Sequence, residues 1–210
     1  VPSRARWSFI DELREDVVEA LRTVHDMTDA REVFWVGHSW GGLLGLNHAL
    51  RETRGRVRGL PQIRGIVAVG TPGDTPKIFR WIRPLAEIAA RGWVPSIPTI
   101  LIARLALPWV GVLSWFARGV SPQLAALPGP LMRRLLASLP SDVPSSILAD
   151  IARWGLRGEV IDEHGEPVHY GRIRQPVLMI GGLRDLLAPI EGMRRAFDDL
   201  GSRDKRLIVA

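Results

Sequence analysis

The chain has no cysteine. That excludes disulfides, thiolate zinc sites and a cysteine nucleophile, and it fits a reducing, cytoplasmic setting. Long apolar runs are missing too: nowhere do about 18 residues pass without a charge or a proline, as a membrane-spanning helix would require. The nearest approach, residues 105–117, is short and contains Pro108. Acidic residues are absent between positions 88 and 141. The net charge is +6, carried mostly by arginine, yet there is no helix-turn-helix signature and no aromatic stacking pattern, so nucleic acid is not an expected partner. What is present is 210 residues, 46% hydrophobic and 24% charged, which is enough for one substantial globular core.

The most informative stretch is Gly37-His38-Ser39-Trp40-Gly41-Gly42, directly after the apolar run Val33-Phe34-Trp35-Val36. It reads as a strand turning sharply into a helix with a serine at the apex. Such a turn strains the serine backbone and requires small residues two before and two after it, which Gly37 and Gly41 supply. Gly42 falls where the departing helix must pack on its strand, and Leu43, Leu44, Leu46, Ala49 and Leu50 give that helix an apolar face. The bland alternative is a glycine-rich turn in which Ser39 caps the helix, but a cap needs no flanking glycines.

Around this motif the chain alternates helices and buried strands. Ser8-Phe9-Ile10-Asp11 has the form of a capping box, and Ile10, Leu13, Val17, Ala20, Leu21 and Val24 follow at helical spacing. Gly65-Ile66-Val67-Ala68-Val69-Gly70 and Pro176-Val177-Leu178-Met179-Ile180-Gly181 are continuous apolar runs suited to strands buried on both faces, and Arg206-Leu207-Ile208-Val209 begins another. Right-handed crossovers then give an α/β fold with a mostly parallel sheet and flanking helices. Residues 1–76 and 171–210 are the expected core, and residues 77–170 a helical cap broken by prolines at 95, 98, 108, 122, 128 and 130. Trp93, Trp109 and Trp115 lie among Arg91, Arg104, Arg118, Arg133 and Arg134 in that insertion. It reads as a lid over an apolar acyl or alkyl pocket. Either it makes peripheral contact with a lipid surface or its helices simply bury against each other and the sheet. Residues 145–156 read as a helix and 158–167 as a loop or hairpin returning to the sheet.

A serine hydroxyl needs a base to take its proton, and the base needs a carboxylate to orient it. Asp185, in the turn after the Val177 strand, is the expected acid, with Asp74 as its rival. No histidine follows Asp185. His38 adjoins the serine, but neighbouring side chains diverge at such a turn; His164 and His169 could approach from the cap. The simplest reading is a histidine beyond Ala210, since the chain starts without methionine and stops inside a strand. The backbone N–H of Trp40 is the expected oxyanion donor, and the second donor is unassigned.

The elbow, the Ile66–Gly73 strand and turn, the insertion, and the segment from Pro176 through Asp185 to Pro189 together resemble the α/β-hydrolase superfamily over the chain from its first helix onward. Within it, Gly201-Ser202-Arg203-Asp204-Lys205-Arg206 before a final strand is similar to bacterial lipases and esterases related to polyhydroxyalkanoate synthases. Those synthases use cysteine where this chain has Ser39, and haloalkane dehalogenases place aspartate there, so the resemblance implies hydrolysis of a small apolar carboxylic ester through an acyl-enzyme. It implies no cofactor and no metal. An acyltransferase on the same fold, or a non-catalytic binding protein lacking the histidine, are the alternatives. The 210 residues alone are expected to be inactive, with an exposed apolar edge at the elbow strand.

Overall fold

In the computed structural model, residues 7–73, 96–109, 128–138, 142–158, 160–162, 164–185 and 187–210 are described. The chain opens with a short helix α1 (Phe9–Asp11), a π turn (Glu12–Asp16) and helix α2 (Val17–Thr28). The capping box forms: Asp11 N–H donates to Ser8 Oγ at 3.3 Å, and Ser8 N–H to Asp11 Oδ2 at 2.8 Å. The uninterrupted helix expected over this region is corrected by the π turn. Its buried residues Phe9, Leu13, Val17 and Leu21 lie four apart, whereas Val24 is exposed. A spacing of four drifts by about 40° per step in a regular α-helix, and the wider π turn takes up part of that drift.

Strand β1 (Glu32–His38) leads through Ser39 into α3 (Trp40–Thr53), and β2 (Gln62–Val69) follows. The insertion contributes a two-residue strand β3 (Ser96–Ile97), helices α4 (Thr99–Ala106) and α5 (Gly129–Ser138), strand β4 (Val143–Pro144) paired antiparallel with β3, and helix α6 (Ser145–Arg157). A hairpin closed by Asp162 N–H to Glu166 O and Val168 N–H to Val160 O then returns the chain to β5 (Val177–Gly181), α7 (Ile190–Asp199) and β6 (Lys205–Val209). The expected strands are all present. They form one parallel sheet in the order β1-β2-β5-β6.

One sheet face is well covered. Ile63, Ile66 and Ala68 of β2 and Val177 and Met179 of β5 pack with Leu46, Ala49 and Leu50 of α3 and Ile190, Met193 and Ala196 of α7. A second cluster joins Phe9, Leu13, Val17 and Leu21 to Leu43, Trp154, Val160 and Ile161, so the last part of the insertion is built into the core. The other sheet face is open at its margins: Phe34 is 69% and Val36 71% exposed on the edge strand β1. Among the described residues no helix is long and apolar enough to cross a membrane.

Candidate active site

All four strands run the same way, so their C-terminal ends share one margin of the sheet, and the candidate residues gather there. Ser39, between β1 and α3, has φ 52° and ψ −116°. Such a conformation costs a residue other than glycine about 1–3 kcal/mol and persists only where the surroundings hold it. Three contacts do so. Ser39 N–H donates to Val69 O at the end of β2, 2.8 Å away, while Gly42 and Leu43 N–H both return to Ser39 O. The hydroxyl makes no capping bond to the helix, and a capping serine would have extended backbone, so the cap alternative does not describe this residue.

The glycines divide the work differently from the expectation. A Cβ on Gly37 would overlap the Gly41 carbonyl, so that position must be small. Gly41, by contrast, has open space where its Cβ would stand. Gly42 is small because Thr71, in the loop after β2, presses on it, and not because α3 lies against its own strand. Trp35 was not singled out in the sequence. Its indole N–H donates to Gly41 O at 2.8 Å, and its ring lies against Gly45, bracing the first turn of α3 from below. A tryptophan two residues before Gly37 and a glycine eight after it would have been the signal.

Trp40 is the first residue of α3, and a helix leaves its first N–H groups without intrahelical acceptors. Its amide therefore faces the helix N-terminus, where the macrodipole favours negative charge. Its side chain is tightly held: Nε1 donates to Glu12 Oε2 at 2.5 Å, with Phe9 edge-on at 5.0 Å and Trp154 stacked at 5.4 Å.

Asp185 sits in the turn after β5. Its Oδ1 accepts from Leu187 N–H at 2.8 Å and Ala188 N–H at 2.9 Å, which fixes the carboxylate and leaves Oδ2 turned toward the end of β2. There Oδ2 lies 3.5 Å, and His38 Nε2 3.6 Å, from where a Cβ on Gly70 would stand. Asp185 and His38 thus flank Gly70 from the ends of β5 and β1. The backbone of Ala210 is bonded on both sides to the same turn, N–H to Gly181 O and O from Leu183 N–H. The rival Asp74 lies outside the described residues.

The other histidines are engaged elsewhere. His25 bonds Ala30 O, and His164 contacts Arg56 on the surface. His169 pairs with Asp199 at 3.8 Å. His48 is fully buried on α3, 3.6 Å from Glu52, and burial first and Arg51 second push it down to about 4. Neither His164 nor His169 approaches the serine as the cap reading allowed. Among the described residues no cluster of three histidine or carboxylate side chains is placed to hold a metal ion.

Comparison with known proteins bears on the fold. No curated protein matches the chain. It is similar in structure to a monoacylglycerol lipase from Paleococcus ferrophilus at 22% identity, with 99% of this chain and 66% of that one covered and a TM-score of 0.59. A thermophilic esterase from Thermogutta terrifontis matches at 15% identity, 99% and 65% coverage and TM-score 0.54. A soluble variant of a monoglyceride lipase from Saccharomyces cerevisiae matches at 17% identity, 96% and 59% coverage and TM-score 0.52. The chain spans less than two thirds of the length of each. A family model described as the alpha/beta hydrolase fold matches residues 3–210. That match takes in both the elbow and the Asp185 turn, and the chain belongs to the α/β-hydrolase fold family.

Proposed function

We propose that the chain carries the nucleophile and the acid of a serine hydrolase acting on carboxylic esters with an apolar acyl or alkyl part. The carrying observation is the Ser39 backbone at φ 52°, ψ −116°, with a hydroxyl that caps nothing. Strain of this kind is retained where the geometry is used.

In this reading a histidine from the chain after β6 takes the Ser39 proton as Oγ bonds to the ester carbonyl carbon. Ala210 is bonded to the turn that carries Asp185, which sets the end of β6 beside the acid. Asp185 Oδ2 orients the imidazole and stabilises its charged form. The carbonyl oxygen, now negative, is met by Trp40 N–H at the start of α3. Collapse breaks the bond to the alkoxy group, which leaves with the proton from the imidazolium. Water then adds to the acyl-enzyme by the same route, releasing the acid and restoring Ser39.

The test is a fluorophosphonate probe on the full-length protein, alone and as Ser39→Ala. Labelling of Ser39 that the substitution abolishes is the expected result. A folded protein that resists the probe, or a Ser39→Ala variant that still turns over p-nitrophenyl esters, overturns the reading. The 210 residues alone should show no turnover, and measurable ester turnover by them would overturn the assignment of the base to the chain after β6.

A further inference from the structure

Glu12 occupies an unusual place for a carboxylate. It opens the π turn, where its Oε1 accepts from Trp7 Nε1 at 3.1 Å and its Oε2 from Trp40 Nε1 at 2.5 Å. Around it Phe9, Trp40 and Trp154 form a triangle of rings with centroids 5.0 to 5.4 Å apart. The start of α1, just before this turn, is tied to the insertion: Phe9 N–H donates to Asp150 Oδ2 at 3.0 Å, and Ser146 Oγ donates to Trp7 O at 2.5 Å, Asp150 and Ser146 both being on α6.

A carboxylate in aromatic surroundings is costly to keep ionised. Burial pushes Glu12 upward, the Trp40 and Trp7 indoles pull it back, and Asp16 and Asp150 push it up again. The remaining charged groups nearby are Asp11 and Arg14 on its own helix, Arg153 beside Asp150 on α6, and Arg51 of α3, whose guanidinium donates to Leu13 O. Two indole N–H groups that a leucine would leave without an acceptor account for a hydrogen-bonding side chain here, and the elbow gives the hold a further use. Ser39 can relax by rotating the peptide that joins it to Trp40, and that rotation swings the Trp40 N–H away from the reacting carbonyl. An indole locked by Glu12 on one side and ring contacts on two others resists it.

We propose that Glu12 is a positioning residue for the ester chemistry, holding the Trp40 indole so that the amide after the nucleophile stays aimed at the oxyanion. This rests on the reading of Ser39 as nucleophile. The π turn is what brings Glu12 under the elbow, and α6 makes the hold depend on the insertion being in place.

The experiment compares full-length wild type with Glu12→Leu, Glu12→Gln and Ser39→Ala. It reads kcat and KM on a short-chain p-nitrophenyl ester, the ¹H–¹⁵N indole resonances, and the melting temperature. Misaiming a single donor should lower kcat of Glu12→Leu by about 10- to 100-fold with KM little changed. Glu12→Gln, which keeps an acceptor oxygen, should recover most of that. The Trp40 indole proton should move upfield in Glu12→Leu, whose melting temperature falls modestly as two indole N–H groups lose their acceptor, while Glu12→Gln should melt close to wild type. If the indole resonance moves and kcat does not, the positioning role is wrong while the nucleophile reading stands. An unmoved resonance refutes the indole bond itself. Absence of turnover in the wild type, or turnover that survives in Ser39→Ala, sinks the underlying reading instead.

Discussion

Ser39 is strained because residues far from it in sequence hold it, and the glycines around it contribute unequally. Gly37→Ala forces a Cβ into the Gly41 carbonyl and should destabilise the fold by about 1–3 kcal/mol, as overpacking does. Gly41→Ala meets open space in the first turn of a helix and should be neutral or stabilising by up to about 1 kcal/mol. Urea denaturation of the two variants checks the contrast, and equal losses would refute it. The sequence showed the need for small residues but not this asymmetry, because the motif is local while the space around each Cβ is set by Trp35, Thr71 and the turn of the helix. His48 is a second residue that sequence could not place. Its folded-state value of about 4 lies below the ordinary 6.5, so an unfolded chain takes up a proton between those values that the folded chain refuses. His48 therefore contributes stability that is full above pH 6.5 and falls as pH drops toward 4, by about 3 kcal/mol at most. Glu12, Glu52 and Asp150 are pushed up by burial and act in the opposite sense as pH falls. The difference between wild type and His48→Leu isolates the histidine: the variant should lose less stability from pH 6.5 to 4, and parallel curves would be the failing result.

The helices and strands were legible wherever one pattern sufficed. Glycine-bounded apolar runs marked β2 and β5, and the capping box marked the start of the first helix. The π turn was not legible, because residues four apart fit a slightly overdrawn helix until Glu12 has to reach two indoles. The helices of the insertion lie between these cases. On α4, α5 and the 3-10 turn between them (Leu107–Trp109), Leu101, Leu105, Trp109 and Leu131 are exposed beside the exposed Arg104, Arg133 and Arg134. Trp93 and Trp115 fall outside the described residues. We propose that this apolar and basic surface rests on anionic lipid. Cosedimentation of the protein with vesicles containing phosphatidylserine should exceed that with phosphatidylcholine vesicles, weaken with salt, and drop several-fold in Trp109→Ser with Leu105→Ser. Binding indifferent to both substitutions would remove this surface from consideration.

At the scale of the whole molecule, the sheet is asymmetric: helices α3 and α7 cover one face, while Phe34, Val36 and, less fully, Ile208 look outward on the other. An apolar sheet margin of this kind attracts other chains. Phe34→Thr with Val36→Thr should lower binding of a hydrophobic dye and slow aggregation of these 210 residues without lowering the melting temperature much. An unchanged dye signal would mean the exposed surface lies elsewhere. That residues 33–36 form a strand could be read from the sequence. Which of its faces lacks a cover depends on helices that pack from elsewhere, and no run of residues records it.

The pairing of β2 with β5 spans the entire insertion, so the sheet closes a very long loop. Loop closure grows only with the logarithm of length, and doubling the insertion would add only about 0.6 kcal/mol. The segment between the two strands can therefore be lengthened, shortened or exchanged at small thermodynamic cost, provided the α6 hold on the elbow is kept. The sheet, Ser39 and Asp185 can stay as they are while the insertion between the strands changes.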